Sequence, residues 1–254
     1  MTTPDVNDEG HVPAPVRTID RRSLFPSLTP LQWLEVAALI AVVIAITPTL
    51  IRRFASTSVP QVATSVASLA TNDSVVPTLL AQPIWSATLG NAEGPLSGEA
   101  RAIRLGAAIV SFELSYRRGD SSIVTSATEV ARLLDSFPGG ATAANAYRVL
   151  GASRSAGNEG VRLAAQLAEQ AAGERNVRLG AWLQGARLAA ASGDSTYFRA
   201  PAIRAVSRAA ITINAKAETE SAVRQFEQIA RARPYDWVAL GTAVEELLGL
   251  LGAT

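Results

Sequence analysis

Apolar residues are arranged in two distinct patterns along the chain. Residues 31–51 read LQWLEVAALIAVVIAITPTLI, an almost unbroken apolar run with one charged residue. From residue 98 onward, apolar positions instead recur at intervals of three and four between glycines and prolines, which is the period of amphipathic helices. Together the patterns predict an all-α protein with one N-terminal transmembrane helix and an extramembrane helical domain.

The apolar run predicts a transmembrane helix over residues 30–53. As a helix it would extend roughly 30 Å, about the thickness of the hydrocarbon core of a bilayer. Trp33 is expected at the membrane interface, and Arg52 and Arg53 just outside the bilayer. Glu35 lies one turn inside, where the helix dipole and headgroup water tolerate a carboxylate. A buried proton-binding role for Glu35 is the alternative.

Two other interpretations of this run carry less weight. A signal peptide has a shorter apolar core followed by a small-residue cleavage site, whereas Ile51-Arg52-Arg53-Phe54 follows here. A buried helix of a soluble protein would need other strongly apolar segments around it, and the rest of the chain offers none. The run is therefore interpreted as a single-pass anchor.

The charges that flank the anchor predict its orientation. Arg17, Arg21 and Arg22 precede it, and Arg52 and Arg53 follow it. Cytoplasmic flanks carry the excess of basic residues, so the N-terminus is expected in the cytoplasm. The C-terminal domain is then expected in the periplasm, on the outer side of a bacterial inner membrane.

The segments beside the anchor are richer in polar residues and proline. Residues 1–29 have no apolar period and are expected to be disordered unless a partner orders them. Residues 54–97 form a Ser/Thr/Pro-rich connector in which Pro60 opens a possible short helix. The connector also contains the apolar pair Ile84-Trp85. A flexible stalk and a strap along a neighbouring subunit are equally consistent with it.

Residues 98–254 predict a helical-repeat domain. Glycines and prolines divide them into pieces rich in Ala, Leu, Arg, Glu and Gln, which are good helix formers. The pieces predict four antiparallel hairpins, built from eight helices at 98–118, 122–137, 141–156, 159–173, 175–192, 197–214, 217–233 and 235–252.

One motif occurs twice in this domain. Residues 104–121 read RLGAAIVSFELSYRRGDS and residues 178–195 read RLGAWLQGARLAAASGDS. Gly106 and Gly180 take equivalent positions, where a neighbouring helix can approach closely. Each copy ends in Gly-Asp-Ser, which is typical of a helix C-terminus followed by a cap. The copies are predicted to be the first helices of the first and third hairpins.

The Leu-Gly early in a helix, the Gly-Asp turn and Phe137-Pro138 resemble tetratricopeptide-type repeats. The resemblance covers residues 98–252, and it departs from the family's pattern because Gly106 and Gly119 stand farther apart than its first helix allows. It implies an irregular helical-hairpin solenoid with a protein-binding role.

Several apolar residues are candidates for contacts with a partner. The last predicted helix places Trp237, Leu240, Val244, Leu247 and Leu251 on one stripe, and packing on the preceding helix is the favoured interpretation of that stripe. A partner contact is the alternative. The candidate partner contacts, including the connector pair, are Ile84, Trp85, Trp237, Leu248, Leu250 and Leu251.

The composition argues against most catalytic chemistry. The chain has no Cys, its only His is His11, and its only Lys is Lys216, so thiol catalysis, a Ser-His-Asp triad and His or Cys metal sites lack their residues. With a net charge of +1 the protein has no overall field that would favour nucleic acid, and no nucleic-acid partner is expected. No catalytic, metal-binding or cofactor-binding residue is predicted, no cofactor is expected, and no small-molecule substrate is identified.

The sequence therefore predicts a non-enzymatic protein that works by contact. The first hypothesis is an accessory or scaffold subunit of a larger membrane complex. Respiratory and photosynthetic, energy-transducing complexes are examples of the kind that acquires such subunits, but no residue here singles them out. Its partners would be the bilayer and the other subunits. The alternative is a membrane-anchored envelope chaperone or assembly factor that binds client proteins.

Overall fold

The computed structural model describes residues 58–67, 76–81, 85, 96–153 and 157–253. These residues are 81% helical and contain no strand, so the all-α prediction is confirmed for this part of the chain. The predicted tail and anchor, with Trp33, Glu35, Arg52 and Arg53, lie outside the described residues, as does Ile84. Within the described residues, no helix combines the length and apolar character needed to span a bilayer.

Eight long helices form the domain, and their bounds lie close to those that the sequence predicts. Two short helices precede them in the connector. In chain order the described helices are α1 (Val59–Ser65), α2 (Val76–Ala81), α3 (Gly98–Arg118), α4 (Ile123–Leu134), α5 (Ala141–Ala152), α6 (Gly157–Ala172), α7 (Glu174–Ser192), α8 (Ala200–Ile213), α9 (Ala217–Arg231) and α10 (Trp237–Ala253).

Proline accounts for two differences from the predicted helix bounds. Helix α4 ends at Leu134 instead of 137, since Pro138 disfavours helical backbone at the residue before it. Helix α8 begins at Ala200 instead of 197, since Pro201 is tolerated only in the first turn of a helix.

The two Gly-Asp-Ser motifs form equivalent turns. Gly119 and Gly193 both end their helices with left-handed backbone, at φ 75° and 70°. Asp120 accepts a hydrogen bond from the Ser122 amide at 2.9 Å, and Asp194 accepts one from Thr196 at 2.9 Å. The sequence-based prediction that these motifs stop a helix is confirmed. The aspartates cap the turn itself, because the residue that precedes α4 makes no side-chain cap.

The two copies of the repeated motif pack directly against each other. A Cβ added at Gly106 would lie 1.9 Å from the Val177 carbonyl oxygen, and one added at Gly180 would lie 1.9 Å from the Ile103 oxygen. The contact is reciprocal, because Ile103 and Val177 occupy equivalent positions, each directly before its copy of the motif. Helices α3 and α7 thus meet backbone to backbone, in the manner of a two-fold interface within one chain.

Two hydrophobic cores share this central helix pair. The first is formed mainly by α3 to α6 and is covered by α1. The second is formed mainly by α7 to α10. Every residue from Leu179 to Ala190 on α7 is buried, which is typical of a helix surrounded by others on all sides.

This packing corrects the predicted solenoid. In a linear array each hairpin contacts only its neighbours, yet the most extensive helix contact here joins α3 to α7, the first and fifth helices of the domain. Helices α7 and α8, predicted to form the third hairpin, share only a small contact. The prediction fails because helix periodicity indicates which face is buried and does not indicate which helix covers it.

Candidate functional site

The candidate partner contacts in α10 mostly face the interior. Leu248 and Leu251 are fully buried in the second core, and Leu250 and Trp237 are partly buried against it. Leu248 and Leu251 therefore offer no surface to a partner, which corrects their assignment as candidate contacts. Intramolecular packing, the alternative favoured from the sequence, describes this helix.

Trp85, in the connector, packs against the C-terminal helix of the same chain. Its indole Nε1 donates a hydrogen bond to the Leu248 carbonyl at 3.3 Å. The Arg104 guanidinium lies over the Trp85 ring at 5.1 Å from the centroid, and its Nε donates to the Gly252 carbonyl at 2.5 Å. The contacts that the structure shows for Trp85 lie within its own chain, and its predicted contact with a partner stays a prediction.

Replacing Gly252 with alanine is expected to displace Trp85. The new Cβ would lie 2.3 Å from the indole nitrogen, and relieving an overlap of this kind costs about 1–3 kcal/mol. Indole-labelled NMR should show a shifted Trp85 N–H resonance. The control Gly249→Ala, in the same helix with nothing within 4 Å of its new Cβ, should leave the resonance in place; an unshifted resonance in the Gly252 variant would contradict this contact.

A buried carboxylate holds the start of the connector on the domain. Glu169 of α6, 4% exposed, accepts the Val59 amide of α1 at 2.5 Å and the Arg178 guanidinium of α7 at 2.9 Å. Val59, Val62 and Val66 are buried, so α1 is both hydrogen-bonded and packed. The sequence-based prediction of a short helix at Pro60 is confirmed.

Glu169→Ala is expected to release α1 from the domain. The substitution removes the charge-assisted hydrogen bond from the Val59 amide and one of the partners of Arg178. The free energy that holds α1 on the domain should fall by about 2 kcal/mol. Hydrogen exchange of residues 59–66 should accelerate about 30-fold, while α7 stays protected. Glu174→Ala removes the exposed carboxylate that also pairs with Arg178 at 2.9 Å. This control should leave α1 unaffected, and equal effects in both variants would argue against a specific role for Glu169.

A third contact joins the connector to helices α7 and α10. Arg187 of α7, 4% exposed, donates to Glu245 of α10 at 2.7 Å and to the Leu79 carbonyl of α2 at 3.2 Å. Buried arginine is tolerated when its donors are paired in this way. Each described part of the connector thus contacts a charged residue of the domain. Glu169 contacts α1, Arg187 contacts α2, and Arg104 contacts Trp85.

A second buried carboxyl, Glu113 of α3, lacks such partners. It is 2% exposed, and its Oε1 makes no hydrogen bond to any described residue. Burial raises the pKa of Glu113 from 4.5 to about 8; Arg117 lowers it and Glu169 raises it further. Burial likewise raises the pKa of the Tyr147 hydroxyl, with added effects of Glu113 and Glu169. The Glu113 carboxyl is therefore largely protonated at neutral pH.

Glu113 forms part of the wall of a cavity of about 170 Å³. The cavity lies where α1, α3 and the beginning of α6 meet. Its lining is mixed in charge and contains Pro60, Thr64, Glu113, Tyr116, Arg117, Asn158, Glu159, Val161 and Arg162. No cluster of three or more Asp, Glu, His or Cys residues able to hold a metal ion occurs in the described ranges.

The residues that hold the connector and form this cavity were missed by sequence reasoning. Glu113 gave a weak signal, because it is the one charged residue in the apolar stretch IVSFELSY. Glu169 and Arg187 gave a similar signal, because each is the one charged residue in its stretch, LAAQLAEQAAG and LGAWLQGARLAAASG. Their roles depend on which helix lies opposite, and local sequence does not contain that information.

Comparison with known protein families, with curated proteins and with solved structures returns no match to this chain.

Proposed function

We propose that the chain is a membrane-anchored, non-enzymatic accessory or scaffold subunit of a larger membrane complex. In this proposal residues 30–53 cross the bacterial inner membrane with the N-terminus in the cytoplasm. Trp33 lies at one interface, Arg52 and Arg53 lie at the other, and Glu35 is within reach of headgroup water. The helical domain then lies on the periplasmic side, where it contacts other subunits. Respiratory and photosynthetic, energy-transducing complexes are examples of the class.

The observation that supports the proposal is the docking of the connector on its own domain. Val59 is fixed to Glu169 at 2.5 Å, and the chain from Arg53 to Val59 can extend no farther than roughly 20 Å. The domain would therefore be held against the membrane surface. A long flexible connector would let a chaperone domain reach soluble client proteins far from the membrane. A short connector keeps the domain near the membrane, where it can contact the other subunits of a membrane complex.

Co-purification in mild detergent tests the proposal. Stoichiometric migration of the tagged full-length protein with one large membrane complex is the expected result. A monomer with variable clients would instead favour the chaperone alternative and overturn the subunit assignment. Glu169→Ala, which frees the tether, should weaken the association, while Glu174→Ala should not.

Protease treatment of sealed inner-membrane vesicles tests the topology. With the cytoplasmic face outward, the domain from residue 98 onward should resist digestion until detergent is added. Digestion of the intact vesicles to the anchor would contradict the proposed orientation.

A further inference from the structure

The cavity beside Glu113 has the size of a binding site for a small molecule. Its volume is about 170 Å³, and a cavity of about 150 Å³ inside a protein accommodates benzene. A ligand of about five to nine non-hydrogen atoms fits this space. Helix α1 forms one side through Pro60 and Thr64, so the site exists only while the connector is docked.

The charges around the cavity are arranged with an acceptor inside and a cation outside. Glu113 is 98% buried, since 2% of it is exposed, and the described chain leaves its Oε1 without a hydrogen-bond partner. A buried acceptor without a hydrogen-bond donor lowers the stability of a protein by about 1–3 kcal/mol, and a ligand that donates a hydrogen bond would recover this energy. Arg117 follows one turn later on α3 and is exposed. Among the described residues no carboxylate forms a salt bridge with Arg117.

The other charged residues of the lining neutralise each other. Glu159 and Arg162 form a salt bridge with two hydrogen bonds on α6. The groups available to a ligand are therefore the Glu113 carboxyl, which is neutral until a cation approaches it, and the Arg117 guanidinium, four positions apart on one helix. Side chains at this spacing lie on the same face with Cβ atoms about 6 Å apart.

We propose that this cavity binds a small zwitterion of the α-amino acid class, with its ammonium group at the Glu113 carboxyl and its carboxylate at Arg117. A simple amine would meet the positive charge of Arg117, and a simple carboxylic acid would bring no cation to the Glu113 carboxyl. An α-amino acid satisfies both groups, because its two charges are joined through a single carbon. Tyr116, Val161 and Pro60 would contact its side chain.

Binding should release a proton from the protein at neutral pH. Glu113 is mostly protonated when the cavity holds no cation, and an ammonium group favours its ionised form. The charged or titratable groups around it are Arg117 and Tyr116 on α3, Tyr147 on α5, Glu159, Arg162 and Glu169 on α6, and Arg178 of α7, which pairs with Glu169. The proton would leave to solvent, and affinity should rise between pH 6 and pH 8.

Calorimetry on the full-length protein in detergent tests the proposal. The probes are glycine, alanine, serine, valine, leucine and proline, together with isobutylamine and isovalerate, which are valine without its carboxylate or without its ammonium group. At least one amino acid should bind with a Kd below about 1 mM, and the valine analogues should bind at least tenfold more weakly than valine. Titrations in buffers of different ionisation enthalpy should show release of up to one proton.

Matched variants separate the site from a general effect on folding. Glu113→Gln and Arg117→Gln should each weaken amino-acid binding at least tenfold, and Glu113→Gln should abolish the proton release. Arg117 is exposed, so its variant keeps the fold even if a change at Glu113 disturbs it. Glu129→Gln, in an exposed salt bridge on α4, is the control and should bind normally. Absence of binding by all six amino acids, equal binding of isobutylamine and valine, or full binding by both cavity variants would overturn the proposal.

Discussion

Replacing Gly106 or Gly180 with alanine is expected to lower the free energy of unfolding by about 3 kcal/mol or more. At either position the added Cβ would lie 1.9 Å from a backbone carbonyl oxygen of the facing helix. A backbone oxygen cannot move aside by rotation, as a side chain can, so α3 and α7 must separate. This separation disturbs both hydrophobic cores, because both contain residues of these two helices. Overpacking costs of this kind exceed the roughly 1 kcal/mol that alanine gains over glycine in a helix. Urea denaturation followed by circular dichroism measures the change.

Gly241→Ala on α10 is the matched control. Its added Cβ would meet only the Ala190 Cβ at 3.9 Å, an ordinary contact. This variant should therefore be neutral or more stable by up to about 1 kcal/mol. If Gly106→Ala and Gly241→Ala had the same stability, the close approach of α3 and α7 would be wrong.

Stability is expected to fall by about 4 kcal/mol as pH rises from 5 to 9, because of Glu113. Its pKa is about 8 in the folded protein and near 4.5 in the unfolded chain, so between these values the folded state holds more protons. Raising the pH through this window therefore favours unfolding, at about 1.36 kcal/mol per unit. Denaturation at a series of pH values measures the slope.

Glu113→Gln should remove most of this pH dependence. The amide cannot ionise, so the variant should be more stable than the wild type at pH 9 and similar to it near pH 5. Glu220→Gln, in an exposed salt bridge on α9, should retain the wild-type slope. If the free energy of unfolding of the wild type did not change from pH 5 to pH 9, the pKa of Glu113 would not be raised in the folded protein, and the prediction would be wrong.

The candidate site could be predicted only in small part. Pro60 and the apolar residues after it correctly indicated α1. The predicted partner contact of Trp85 stays a prediction, because the contacts in the structure are with its own chain. The partners of these residues could not be predicted, because Glu169, Arg104 and Gly252 are distant in sequence and contribute through tertiary contacts. The unpartnered state of Glu113 was equally inaccessible, since it depends on what the surrounding helices fail to provide.

Local sequence determined the secondary structure of this protein. The eight domain helices lie close to the bounds predicted from the apolar period, the glycine and proline positions and the helix caps. One such cap is Asp236, which accepts a hydrogen bond from the Ala239 amide at 3.0 Å. These signals act over a few residues and need no knowledge of the rest of the fold.

Only the tertiary structure decided which helices meet. The repeated Leu-Gly motif predicted two sites of close approach, and a linear array of hairpins was the simplest interpretation of it. The structure instead brings Gly106 and Gly180 to each other's helices, and it folds the connector back on the domain. Helix pairing depends on complementary shape over whole helix faces, because each apolar stripe can be buried by several different neighbours.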